Sequence, residues 1–345
     1  MGSIAVTGAA GVLGQRLLPL LDGSTRVVAL DVREPDRRTP HLDFHRIDLA
    51  SADVKPLLEG VDVIVHLAAI TDPILDDSLM ARVNVEGTRR LLEAASAVGV
   101  QRVVRVSTAA VYGAYSNNPV PITEDAALRP NPGFSPAVHS AEVERLLGEW
   151  RDDHPGASLT VLRAAPVCAP GHNQLATRLL AGRPPLRPRG EAPPIQVVHA
   201  DDVASALALV VRESLTGVFN VSADGWVDAA AVAELLDGRP SVAVPPELVG
   251  RFIGWLWRSG VGDVPGSILP YLIHPWVLAN DRLRAAGWEP MFSNEEAILA
   301  TLPGDAVLRP SPTAIKTGAV AGAATVASAA ALGYALRRRG PRRRR

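Results

Sequence analysis

The residues best spaced for chemistry come first in the chain. Gly8, Gly11 and Gly14 recur at every third position in TGAAGVLG, between an apolar run and an amphipathic one. Three missing side chains at the entry to a helix allow a tight turn, which also holds Val12 and Leu13, and let backbone N–H groups approach a pyrophosphate at the helix N-terminus. Asp31 ends the next apolar run, where a carboxylate can accept both hydroxyls of an adenosine ribose. A carboxylate there repels a 2'-phosphate, so the pattern favours NAD over NADP; Arg33, two residues on, would soften that preference.

The elements that must position these groups follow from hydropathy. Residues 3–7, 26–30, 61–67, 103–107 and 159–163 read as buried strands, and residues 12–21, 79–98 and 136–150 as helices between them. The last of these puts Val143, Leu146, Leu147 and Trp150 on one face. Strands alternating with helices predict an α/β chain with a parallel sheet.

Further motifs follow in order. Asp48-Leu49 comes after a short strand, His66-Leu67-Ala68-Ala69 ends another, and Asn84-Val85-Glu86-Gly87-Thr88 lies in the next helix. Then come Ser107-Thr108-Ala109-Ala110-Val111-Tyr112-Gly113, His199-Ala200-Asp201-Asp202-Val203-Ala204, Phe219-Asn220-Val221 and Ala286-Gly287-Trp288-Glu289-Pro290. With the glycine turn, this series resembles the extended short-chain dehydrogenase/reductase family, in its NAD-dependent epimerase/dehydratase branch, over about residues 1–300. The resemblance implies a Rossmann-type doubly wound parallel sheet with a smaller C-terminal substrate lobe. It implies a cofactor domain at residues 1–165, rejoined by 195–222, with 166–194 and 223–302 forming the lobe. By the same resemblance Asp48 and Leu49 lie beside the adenine and Ala68 and Ala69 beside the cofactor's middle. Leu67 and Asn84 join those contacts, and Thr108 meets the substrate oxygen.

One part of the pattern is missing. Relatives carry a Tyr-x-x-x-Lys pair in which tyrosine exchanges a proton with the substrate hydroxyl, while lysine lowers the tyrosine's pKa and holds the nicotinamide ribose. Aligned on SPAVHSAEVERLL, the tyrosine position is Pro136 and the lysine position Ser140. The chain has two lysines in all, Lys55 and Lys316, and neither is near this helix in sequence. Ser135 is expected as the helix N-cap and Pro136 as its first residue. Tyr112, Tyr115 and His139 are the candidate stand-ins for the proton carrier.

Composition bounds the rest. The chain has 345 residues, 47% hydrophobic and 21% charged, and a formal charge of −1. Seven of the last nine residues are arginine, so residues 1–336 carry −8, which argues against a nucleic-acid-binding body. One cysteine, Cys168, excludes an intrachain disulfide, no Cys/His cluster has metal-ligand spacing, and a reducing cytoplasm is expected for the body. Residues 303–317, rich in proline, read as a linker. Residues 318–336 hold no charge and as a helix would span about 28 Å, the thickness of a bilayer core. With Lys316 before them and the basic tail 337–345 after, they are expected to anchor the body to the cytoplasmic face of a membrane. Gly318 and Gly322 would let two such helices approach, and the resemblance implies a homodimer. The apolar stretch 245–276, with Phe252, Trp255, Trp257, Tyr271 and Trp276, reads as lobe core or as a greasy substrate lid.

Three functions fit these residues. The first is an oxidoreductase or epimerase using NAD on a nucleotide sugar or similar alcohol. The second is a non-catalytic NAD-binding sensor or partner-binding protein. The third is a hydroxysteroid-dehydrogenase-like enzyme, suggested by the apolar stretch.

Overall fold

The computed structural model describes residues 2–21, 23, 25–36, 42–170, 175, 186–236 and 242–301. Six strands come from the first half of the chain: β1 (Ile4–Thr7), β2 (Val27–Asp31), β3 (Leu42–Arg46), β4 (Val63–His66), β5 (Arg102–Thr108) and β6 (Ser158–Ala164). Short strands β7 (Val167–Cys168), β8 (Leu186–Pro188) and β9 (Val198–His199) follow, then β10 (Gly217–Val221) and β11 (Val242–Val244). Seven of these form one parallel sheet in the order β3-β2-β1-β4-β5-β6-β10. The chain order reverses between β1 and β4, and sheets of this kind bind ligands in the crevice beyond the strand C-termini at such a point.

Side chains alternate across each strand, so one sheet makes two apolar layers. Val6, Ala29, Val65, Val104 and Leu162 face one layer, which the Ala200–Arg212 helix covers with Val203, Ala206, Leu207 and Val210. Ala5, Val28, Ile64, Val103 and Val161 face the other. That layer is covered by α3 (Gly87–Val98) through Leu91, Leu92 and Ala95, and by α4 (Ser135–Asp153) through Val143, Leu146, Leu147 and Trp150. Both faces being buried explains why these strands read as unbroken apolar runs in the sequence.

Three predicted helices differ from those observed. Residues 12–21 yield a single α turn, α1 (Gly14–Leu17), then a 3-10 turn at Leu18–Leu20, because Pro19 has no N–H to continue the ladder. The predicted helix 79–98 starts earlier, as α2 (Asp77–Ala81), where the Asp76 carboxylate accepts the Leu79 N–H at 2.9 Å. It then widens into a π turn at Arg82–Glu86 before α3. In α4 the N-cap is Phe134, not Ser135, and no side chain caps it. Ser135 is already helical, and Pro136 occupies the first turn, where its lost N–H has no partner to miss.

Among the described residues no helix is long and apolar enough to cross a membrane. The expected linker 303–317, helix 318–336 and basic tail 337–345 lie outside the described residues.

Candidate functional site

The glycine turn closes on the backbone of the switch point. Gly8 has φ +70°, and a Cβ there would come within 2.6 Å of the Ala68 nitrogen. A Cβ on Gly14 would collide with the carbonyl oxygens of Gly8 and Ala9. The Asp31 carboxylate is tied to this turn, one oxygen accepting the Ala10 N–H and the other the Arg33 N–H, each at 2.9 Å. Each oxygen keeps a lone pair for a further donor.

Beneath the turn, a buried relay joins β1, β4 and α3. His66 Nδ1 lies 2.7 Å from the Thr7 hydroxyl and Nε2 2.9 Å from the Thr88 hydroxyl. Thr88 donates its proton to the Asn84 carbonyl, so it accepts from His66 Nε2–H. Thr7 in turn donates to Nδ1 and accepts the Ala68 N–H at 3.2 Å. Burial holds His66 well below its ordinary pKa, and the nearby Arg105 charge adds to this, so the ring is neutral. Asn84, in the π turn, accepts from the Ile70 N–H at 2.8 Å and donates to the Ile70 carbonyl at 2.9 Å. His66, Thr7 and Asn84 thereby fix the loop from Leu67 to Ile70.

A cavity of about 550 Å³ runs along the C-terminal edge of the sheet. Of the sequence-predicted residues, Gly8, Gly11, Val12, Leu13, Gly14, Leu67, Ala69 and Thr108 line it. Arg33 lines it as well, while Asp31, Ala68 and Asn84 support its floor through the bonds above. Asp48 and Leu49 do not reach it. Asp48 accepts the Ala50 N–H at 2.9 Å in the turn after β3, and Leu49 packs on the layer beneath the sheet. The far wall is apolar: Phe134, Ile268, Tyr271, Leu272 and Trp276. The Tyr271 ring centroid lies 5.0 Å from those of both Phe134 and Trp276, and its hydroxyl donates to the Ala110 carbonyl. The stretch 245–276 is therefore divided. Its C-terminal half walls the cavity, whereas Phe252 and Trp255 are exposed.

Among the described residues, none of the candidate proton carriers Tyr112, Tyr115 and His139 lines the cavity. Pro136 and Ser140, the residues that the sequence resemblance sets at the tyrosine and lysine positions, both line the cavity, and the Ser140 hydroxyl donates to the Pro136 carbonyl at 2.7 Å. Thr108 accepts the Ala110 N–H at 3.2 Å and keeps its own proton to donate. Tyr112 is away from the cavity. Its hydroxyl donates to Asn220 at 2.8 Å and accepts from Arg163 at 2.9 Å. Arg163 in turn pairs with the buried Glu144 at 2.8 Å, and Glu144 accepts the Ser107 hydroxyl. His139 points from α4 toward Asp77, 3.8 Å away, and Tyr115 lies under the Arg129 guanidinium. Neither lines the cavity.

Several lining residues were not singled out in the sequence, the charged Asp72 and Arg105 among them. Arg105, in the middle of β5, is 4% exposed and faces the same cavity. The signal was present as a charge inside the apolar run that follows Arg102 in RVVRVST. The later motifs serve structure. Asp202 accepts the N–H groups of Met291 and Phe292, Asn220 joins three elements, and Trp288 donates to Ser205 at 3.0 Å.

The glycine turn, the parallel sheet and the motif order are those of a family. The NAD dependent epimerase/dehydratase family matches residues 4–222, and the chain belongs to it. It is 32% identical over 312 residues to a 3-diazoavenalumate denitrifying reductase from a Streptomyces species, covering 83% of this chain and 95% of that protein. Among solved structures, the Thermus thermophilus UDP-glucose 4-epimerase complex with NAD matches with TM-score 0.66 at 26% identity. That match covers 87% of this chain and 97% of the other. MoeE5 in complex with UDP-glucuronic acid and NAD matches over the same shares, with TM-score 0.67 and 26% identity.

Proposed function

We propose that the chain binds NAD along the C-terminal edge of the sheet and works as an oxidoreductase on a nucleotide sugar or a related alcohol. The observation that carries this reading is the cavity that joins the glycine turn, Thr108 and the apolar Tyr271–Trp276 wall. The turn from Gly8 to Gly14 would hold the pyrophosphate and Asp31 the adenosine ribose. Leu67 and Ala69 would lie against the cofactor's middle, on a loop that His66 and Asn84 hold still. Relatives whose names pair NAD with a UDP-sugar support both halves of the assignment.

Bound NAD supplies an acceptor or donor of hydride. Thr108 donates its hydroxyl proton to the substrate oxygen and orients the reacting carbon. The residues 268–277 wall excludes water and packs the apolar part of the substrate. Since neither Pro136 nor Ser140 offers a proton carrier toward the substrate, the proton released from or taken up by the substrate oxygen would be exchanged with water, without side-chain help. Such a loss typically slows turnover about 10²- to 10⁴-fold. Incubating the protein with NAD and a panel of sugar nucleotides, and following the near-ultraviolet absorbance of reduced nicotinamide, tests the reading. Slow turnover that vanishes in Thr108→Ala supports it; no turnover with any member of the panel refutes it.

Pro136 and Ser140 favour a second reading, an NAD-binding protein without turnover. It requires NAD to bind and to raise the melting temperature while absorbance stays flat, and measured turnover overturns it. In either case we propose that the uncharged stretch at residues 318–336, with the basic tail after it, tethers the body to a membrane.

A further inference from the structure

Arg105 lies where an unpaired cation is hard to keep. Its guanidinium is buried, and among the described residues no carboxylate stands within ion-pair distance of it. Nη1 donates to the carbonyls of His66 at 3.0 Å and Ala68 at 3.4 Å, at the end of β4. Nε and Nη2 make no hydrogen bond with any described residue, so three N–H donors remain open beside the cavity. The carboxylate whose field Arg105 feels is Glu144, already engaged by Arg163 and Ser107. His66 next to it is neutral. Burial lowers the Arg105 pKa only to about 10, so the group stays charged at neutral pH.

A buried charge costs several kcal/mol unless hydrogen-bonded oxygens replace the lost water. The location narrows which oxygens those are. Ser140 and Glu144 sit one turn apart on α4, above the strand that carries Arg105, and Ser140 lines the same cavity. Ser140 is the position where the pattern has its lysine, one of whose tasks is to grip the ribose on the nicotinamide side. The apolar substrate wall is built from Phe134, at the N-cap of α4 ahead of Ser140, and from residues 268–277.

We infer that Arg105 replaces the missing lysine from the opposite direction: rising from β5 rather than descending from α4, its guanidinium holds the hydroxyls of the nicotinamide-side ribose of bound NAD. The inference rests on the NAD reading above. It makes Arg105 a cofactor-binding residue, and it accounts for a helix that has lost its cation without losing its place over the sheet.

Calorimetric titration of the full chain with NAD, ADP-ribose and ADP tests it, because ADP-ribose carries the distal ribose and ADP lacks it. In Arg105→Met, NAD and ADP-ribose are expected to bind about 10- to 100-fold more weakly, the loss of one charge-assisted contact, while ADP binds as before. Arg105→Gln, which keeps a donor for the two carbonyls and removes the charge, is expected to show the same loss. Adding Ser140→Lys to Arg105→Met restores a cation from the α4 side and is expected to recover most of the ADP-ribose affinity. Arg105→Met that binds NAD as tightly as the native chain overturns the inference, and so does a loss shared equally by ADP. Native protein that binds neither ADP nor NAD instead retires the cofactor reading itself.

Discussion

His66 makes both of its ring contacts with threonine hydroxyls, and each hydroxyl has only one proton to give. Protonating the ring would turn Nδ1 into a donor and leave the Thr7 proton without its acceptor. Because burial and Arg105 depress its folded pKa, the folded protein binds fewer protons than the unfolded chain once the pH drops below about 6.5. Stability contributed by neutral His66 is present above that pH and is lost as the pH falls, by up to about 1.4 kcal/mol per pH unit. Asp202 works in the opposite sense, since burial raises its carboxyl to about 6 and its stability contribution is lost as the pH rises. Comparing urea midpoints of the native chain and His66→Gln from pH 7 to 5 isolates the histidine: the native curve is expected to fall faster. Parallel curves would show that the folded ring takes up its proton as readily as the unfolded one, and that burial does not depress its pKa. At this scale, legibility depended on residue type. Gly8, Gly14 and Asp31 were readable because backbone geometry and charge each demand one kind of residue at those positions. Arg105 was not, because whether a charge in an apolar strand faces an ion pair or a cavity is settled by the elements packed above it. Tyr112 misled for the converse reason: a hydroxyl near the predicted site is spent on Asn220 and Arg163, both distant in sequence.

Among the elements, α4 does two jobs that the sequence pattern treats as one. Its apolar face, with Leu147 and Trp150, packs the sheet and was legible from periodicity. Its polar face is split between Pro136 and Ser140, which line the cavity, and a structural carboxylate, Glu144. Glu144→Ala leaves Arg163 buried without its partner and is expected to destabilise the fold by about 3–5 kcal/mol in urea titrations. The first turn is more forgiving. Pro136 needs no N–H there, and a tyrosine fits the same backbone at small cost. With Arg105 supplying the cation, Pro136→Tyr alone is expected to restore proton transfer, raising turnover about 10²- to 10⁴-fold. Arg105→Met in that background is expected to cancel most of the gain; a gain indifferent to Arg105 would leave the tyrosine's pKa with some other cause. The π turn at Arg82–Glu86 was invisible in the sequence, since it arises from Asn84 reaching back to both polar groups of Ile70, a contact made only once the sheet is assembled.

For the molecule as a whole, the charge asymmetry bears on where the body sits. Residues 1–336 carry −8, whereas seven arginines crowd the last nine positions, so an anionic membrane surface repels the body and attracts the tail. Electrostatics alone would hold the chain weakly and would yield to salt, since a Debye length shrinks to about 3 Å at molar ionic strength. Insertion of an apolar segment would not yield to salt. Residues 318–336 are alanine-rich, with Val320, Val326, Leu332 and Leu336 as their branched apolar side chains, so the proposed insertion would be marginal and one charge at the centre would decide it. Vesicles containing anionic lipid are therefore expected to float the full chain in molar salt. Val326→Asp, which adds about 2.5–3.5 kcal/mol to insertion at the helix centre, is expected to stay in the dense fraction in molar salt while still floating at low salt. If both proteins leave the vesicles in molar salt, the tail binds at the surface only. If neither floats at low salt, the arginines serve some purpose other than holding the body at a membrane.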